Sequence, residues 1–255
     1  MYKIIIIGAG NVAWHLAIEL EKQGHRITDV YSRHVANAKL LSQQLYEARA
    51  TNQLDFLASD ADIALVAVAD DALGEVVAAL RLPPDVILAH TSGTQTMEIL
   101  KVSTENIGVF YPLQTFTKSK NISFAAIPIC IEAANKEALD SLGELATTLS
   151  QEVYVLDSEQ RKALHIAAVV ACNFTNHLLS IAKEILDDKD MDFEMLFPLI
   201  QETISKAMSM DPKDAQTGPA KRGDTKVISK HLLYLEKYPT YKAIYQTITD
   251  SIATK

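Results

Sequence analysis

Cysteine is nearly missing from this sequence: Cys130 and Cys172 are the only two in 255 residues. Each stands alone in an apolar segment, which excludes a disulfide framework and zinc-ligand spacing. Both read as buried thiols in a reducing compartment, and no metal site is expected. An uninterrupted apolar run is also lacking, since the early Ile4-Ile5-Ile6-Ile7 stretch stops at Gly8-Ala9-Gly10-Asn11. A bilayer helix needs roughly 20 such residues. With no signal-peptide pattern either, the expectation is a cytoplasmic protein without a membrane partner. Positive charge is scarce: 24 Lys and Arg stand against 32 Asp and Glu, a net charge of -8. No basic stripe is present to neutralise phosphates, so nucleic acid is excluded as a partner. Neither an internal repeat nor a low-complexity tract is found.

What is present is an alternation of short apolar runs with amphipathic stretches, the pattern of βαβ units in a parallel sheet. Strands are predicted at Lys3 to Ile7, Ile27 to Ser32, Asp62 to Val68 and Val86 to His90. Ile107 to Phe110 and Ile127 to Glu132 extend the sheet, with Val153 to Leu156 as an edge. From Asp157 onward the periodicity is helical only. One long helix reaches about Leu186, followed by helices at Phe193 to Met210, Thr225 to Lys237 and Thr240 to Ala253. The fold class is therefore α/β, a doubly wound parallel sheet in residues 1–155 followed by an all-α domain in 156–255.

The first strand runs straight into Gly8-Ala9-Gly10-Asn11-Val12-Ala13, a G-x-G-x-x-A turn that opens a helix from Asn11 to Gln23. In a strand-helix-strand unit this is the Rossmann cradle for a dinucleotide. Gly8 makes the tight turn, Gly10 admits a diphosphate, and Ala13 lets helix and strand pack closely. Amides at the helix start then face the anion. The bland alternative is a strand-to-helix turn without ligand, and methyltransferases use similar loops. The second strand ends in Tyr31-Ser32-Arg33, where an NAD site would carry an acid and an NADP site a cation. Ser32 and Arg33 therefore predict NADP(H) over NAD(H), unless Asp29 is the acid and Arg33 is merely solvated. His34 reads as an adenine contact or a surface histidine. Val68 and Ala69, at the carboxyl edge of the sheet, are small enough to line the cofactor, whereas Asp70 reads as a helix cap or a ligand contact.

Hydride chemistry asks the protein for orientation and one proton. His90-Thr91-Ser92-Gly93 leaves the sheet at the ligand-bearing edge, so His90 is a candidate catalytic group and Ser92 a cofactor contact; a capped turn explains the motif as well. On the long helix a 3.6-residue period places Lys162, His165, Asn173 and Asn176 on one side. Lys162, His165 and Asn173 are candidate catalytic residues, against a satisfied core histidine and a solvated lysine. Gln114, in Tyr111 to Phe116, is a candidate substrate contact. In the loop Asp214 to Asp224, Lys221 and Arg222 either clamp an anionic substrate or pin the loop by salt bridges.

Taken together, Gly8 to Ala13, His90 to Gly93, Tyr111 to Phe116, His165 to Asn173 and Gly218 to Asp224 resemble a known family over nearly the whole chain. These are NADP oxidoreductases that join a Rossmann domain, similar to deazaflavin-dependent NADP reductases, to a helical C-terminal domain of unknown function. More distantly the layout is similar to pyrroline-carboxylate reductases, ketopantoate reductases and the 6-phosphogluconate dehydrogenase group. The resemblance implies a cofactor cleft between the domains and a homodimer formed through the C-terminal helices. It implies no particular substrate. The chain departs from the family pattern in carrying Tyr111 where a histidine precedes the proline, so no catalytic role carries over to that position. The expected function is NADP(H)-dependent hydride transfer to or from a small, anionic molecule; the alternative is a dinucleotide-binding sensor that turns nothing over.

Overall fold

The structure is a computed structural model describing residues 1–101 and 104–254. It divides into two compact units, Met1–Cys172 and Asn173–Lys255, whereas the change of sequence pattern falls near residue 155. In the first unit the order is β1 (Lys3–Ile7), α1 (Asn11–Lys22), β2 (Arg26–Tyr31), α2 (Val35–Ser42), β3 (Arg49–Thr51) and β4 (Ile63–Val66). There follow α3 (Asp70–Ala79), β5 (Ile87–His90), β6 (Ile107–Pro112), β7 (Ile129–Ala133), α4 (Lys136–Leu149), β8 (Val153–Val155) and α5 (Ser158–Ala168).

Among the described residues eight strands form one sheet, in the order β3-β2-β1-β4-β5-β6-β7-β8. All neighbours are parallel except β6 and β7. The expected doubly wound parallel sheet is present, and β7 joins its far side antiparallel to β6. Apolar runs report burial, not strand direction, and so could not distinguish the two orientations. The four consecutive isoleucines of β1 are fully buried because both faces of the central strand are covered. Ile4 and Ile6 pack with Leu16, Leu20 and Leu145 on one face, while Ile5 and Ile7 meet Leu73, Val77 and Leu88 on the other. Fully burying a side chain of this kind contributes about 1.5–3 kcal/mol. Helices therefore cover both faces, and β1 and β4 part at the topological switch point where such sheets open a crevice.

The second unit holds α6 (Thr175–Asp187), α7 (Phe197–Ser209), the short α8 (Pro212–Ala215) and α9 (Pro219–Arg222), then α10 (Thr225–Tyr234) and α11 (Pro239–Ala253). Helical structure is continuous over Ser158–Asp187, but Val169–Phe174 is a π turn. Asn173 lies within this π turn, so a constant 3.6-residue period does not describe the stripe predicted through Lys162, His165, Asn173 and Asn176. The same 30-residue helix has an 18-residue window of mean hydropathy 1.4, so it passes a length and composition test for a membrane span, and nothing more than that follows from it. No Asp, Glu, Lys or Arg occurs between Lys162 and Lys183, although Asn and His interrupt the apolar residues and hide the stretch from a search for unbroken runs. Cys172 lies on this helix and is exposed, unlike the buried Cys130, which overturns its reading as a buried thiol.

Candidate functional site

The chain leaves β1 through Gly8, whose φ of +128° is open to glycine almost alone. A Cβ there would stand 2.2 Å from the carbonyl oxygen of Ala67 at the end of β4. That contact rules out any side chain, because the turn is wedged between the two strands at the switch point. A Cβ at Gly10 would meet nothing within 4 Å, so this side of the turn is open. Gly10 caps α1 with no side-chain hydrogen bond, and no acidic residue occupies the first helical turn. Ala13 is fully buried in the α1 and β1 packing.

A cavity of about 340 Å³ extends from Gly8, Ala9 and Gly10 to Ser32, Arg33 and His34. The competing acid, Asp29, is buried within β2 and bonded at 2.6 Å to Nε of Arg49 on β3. Its carboxylate is thus used across the sheet. A second cavity of about 350 Å³ shares Gly10 and Ala67–Ala69 with the first and continues past Asn11 and Val12 to Ser92, Gln114, Tyr111 and His165. Two cavities meeting at a turn that tolerates no Cβ fit an elongated dinucleotide bridged by a diphosphate.

The far wall of the second cavity is built on Gly93. A Cβ at this position would lie 2.4 Å from Nδ1 of His165, so only glycine lets α5 bring the imidazole over the turn. His165 Nδ1 is hydrogen-bonded to the Tyr111 hydroxyl at 2.9 Å, and the rings meet edge to face. Burial, and secondarily Cys130, push the Tyr111 phenol up to about 12, partly offset by Arg161. One turn before His165, Arg161 is almost fully buried and paired with Glu132 of β7. Its guanidinium also donates to the Gln95 carbonyl at 2.5 Å, and Ser158 donates to both Glu132 oxygens at 3.0 Å. Residues four apart share a helix face. The Arg161 anchor thereby fixes the register that carries His165 to Tyr111.

The remaining candidates take other places. His90 is fully buried: its Nδ1 accepts from the Ser92 amide at 3.1 Å and its Nε2 lies 3.3 Å from the Thr96 carbonyl. Both nitrogens shape the turn, which corrects its reading as a proton donor. Burial, with help from Arg161, lowers the His90 pKa to about 4, so the folded protein favours the neutral ring. The unfolded chain binds that proton more readily, and stability falls as pH drops from 6.5 toward 4. The expected loss by pH 5 is about 2 kcal/mol. Thermal melts at pH 7 and pH 5 should show a clearly shallower acid slope in His90→Asn than in the parent, with the lowered His25 contributing equally to both. Equal slopes would refute the assignment.

Ser92 Oγ accepts from the amides of Thr94 and Gln95 while lining the cavity. Gln114 Oε1 accepts from the Thr115 amide at 2.7 Å. Asp70 opens α3 without capping it through its side chain; its carboxylate accepts from Thr94 Oγ1. Lys162 is exposed, and the buried cation of α5 is its neighbour Arg161. Asn173 is exposed, within the π turn itself. Lys221 and Arg222 stand on α9, where Lys221 lines a cavity built wholly within the second unit with Pro212, Gln216 and Ser251. Sequence reasoning missed Arg161, Glu132 and Tyr111 as partners. Only their polar character within apolar segments could have hinted at them. Among the described residues no cluster of His, Cys, Asp or Glu is arranged for a metal ion.

Residues 1–114 match the Rossmann-like domain model, and residues 127–252 match a domain of unknown function, DUF2520. A "putative NADP oxidoreductase" of Bacteroides fragilis is 40% identical, with 100% of this chain and 98% of that one aligned at a TM-score of 0.94. The chain belongs to this Rossmann-like and DUF2520 family. Fold likeness reaches further among solved structures. A reductive aminase of Aspergillus terreus in complex with NADPH is 16% identical, covering 91% of this chain and 77% of its own at a TM-score of 0.62. The prephenate dehydrogenase of A. aeolicus in complex with NAD+ is 13% identical, covering 98% and 96% at 0.59. No match is found among curated proteins.

Proposed function

We propose that this protein is an oxidoreductase using NADP(H) in preference to NAD(H) on a small molecule held beside His165. One observation carries the reading: the cavity that begins at the glycine turn ends at the Tyr111–His165 pair. Gly8 to Ala13, Val68 and Ala69 would hold the dinucleotide, with Ser32 and Arg33 at a 2′-phosphate. When bound, the cofactor supplies or accepts a hydride. The Tyr111 phenol stays protonated at neutral pH and donates to Nδ1 of His165. With the Tyr111 hydroxyl on Nδ1, Nε2 is the ring nitrogen that would give a proton to a substrate atom, the Tyr111 proton passing to Nδ1 as it leaves. Gly93 and Arg161 hold that ring in place, and Ser92 and Gln114 furnish polar edges.

Among the described lining residues of this cavity there is no Lys or Arg, and Asp70 is the one carboxylate. This favours a neutral carbonyl, imine or alcohol over the anionic substrate expected from Lys221 and Arg222. Thermal shift with NADPH, NADH and adenosylmethionine side by side tests the cofactor: NADPH should raise the melting temperature most, and adenosylmethionine should leave it unchanged. Arg33→Ala should remove most of the NADPH-over-NADH difference, roughly tenfold or more in the ratio of dissociation constants. An unchanged ratio would sink the specificity assignment. Tight NADPH binding with no absorbance change across a panel of carbonyls and imines would favour the sensor.

We also propose a homodimer formed through the second unit, whose α7 exposes Leu199, Ile204 and Met208 to 64%, 46% and 85%. Such apolar exposure marks an association surface. Light scattering should return twice the 28.1 kDa chain mass; a monomeric mass at micromolar concentration would refute it.

A further inference from the structure

The segment after β6 crosses to the helix that opens the glycine turn and is fastened there. Nε2 of His15, on α1, lies 2.9 Å from the carbonyl oxygen of Thr117, and Phe116 stacks on the His15 ring at 5.4 Å. The next residue, Lys118, is thereby delivered to the turn itself. Its ammonium donates to the carbonyl of Ala9 at 2.8 Å and lies 5.0 Å from the centre of the Trp14 ring. This cation does not belong to the glycine motif and stands more than a hundred residues from it in the chain.

We infer that Lys118 is a positioning residue for the dinucleotide: it fixes the peptide between Ala9 and Gly10 so that the Gly10 amide is held ready for the diphosphate. The inference rests on the dinucleotide reading above. A trans peptide is planar, with its C=O and N–H pointing in opposite directions. Anchoring the Ala9 oxygen on Lys118 therefore turns the Gly10 N–H away from the lysine and prevents the peptide from flipping. A cation on the carbonyl also polarises the amide and strengthens the bond its N–H gives to an anion. Gly10 on its C-terminal side has no Cβ to restrain the rotation of this peptide, which is why an external anchor matters here. His15 and Trp14 supply the platform. The imidazole holds the loop and the indole face holds the ammonium by a cation–π contact.

The test compares Lys118→Met, which keeps the stem but loses the donor and charge, with Lys118→Arg, which keeps both. Dissociation constants are measured by titration calorimetry for NADPH and for adenosine 2′-monophosphate, which lacks the diphosphate. Lys118→Met should weaken NADPH about fivefold to tenfold and change the nucleotide monophosphate less than twofold. Lys118→Arg should recover most of the NADPH affinity. NADPH binding unchanged in Lys118→Met would overturn the inference, as would equal weakening of both ligands, which would mean general damage to the domain. Failure of the parent protein to bind NADPH at all would instead defeat the dinucleotide reading and take this inference with it.

Discussion

Replacing His165 by alanine is expected to lower the turnover number by a factor of about 10² to 10⁴, the usual contribution of a placed proton donor, while leaving NADPH affinity nearly unchanged. The imidazole touches Gly93 and the Tyr111 hydroxyl but none of the glycine-turn atoms that would bind the diphosphate. A half-buried side chain on the outer turn of α5 can be truncated without opening the sheet core. Tyr111→Phe should have a smaller effect in the same direction. It leaves the ring in place but removes the donor to Nδ1, so the Nε2 tautomer is no longer enforced. Its pH profile should therefore move along with its rate. Turnover in His165→Ala within threefold of the parent, with any substrate that the enzyme accepts, would remove the Tyr111–His165 pair from the chemistry.

Arg161→Met should unfold the protein most readily of the single changes considered. Arg161 is 1% exposed and its partner Glu132 17%, so losing the guanidinium leaves a mostly buried carboxylate facing only Ser158. Breaking one side of a buried pair costs about 3–5 kcal/mol. In a chain of this size that corresponds to a fall of roughly 10 °C in melting temperature. Removing both charges together, as Arg161→Met with Glu132→Leu, should restore much of the loss, because a well-packed apolar pair avoids the desolvation cost of both ions. The double variant also separates stability from placement. If Arg161 sets the register of α5, the restored protein should still show reduced turnover through a misplaced His165. A single variant that melts within 2 °C of the parent would show that the ion pair is not an anchor.

The parts of the site that a reader of the sequence can find are those carried by local backbone requirements. Gly8, Gly10 and Ala13 follow an apolar strand at fixed spacing, and the space they leave is a property of a strand-to-helix turn wherever it occurs. The end of β2 is legible for the same reason, since register within one βαβ unit fixes which residues reach the cofactor edge. The three-residue β3 is too short to show a period in the sequence. Charge alone does not distinguish the exposed Lys162 from the buried Arg161, because it gives no sign of a partner 29 residues away. The π turn at Val169–Phe174 carries no distinctive residue, so a helical period read along the sequence runs through it unchanged.

Order along the chain was enough to specify an α/β architecture, a glycine cradle at its first turn and the basic end of the second strand, because each depends on neighbours a few residues apart. The antiparallel β6–β7 pair, the seat of His165 on Gly93 and Tyr111, the ion pair of Arg161 with Glu132 and the reach of Lys118 to Ala9 depend on the folded arrangement. Each joins segments distant in sequence through a single contact of a few ångströms, and no periodic pattern of side chains encodes which of many polar residues will meet.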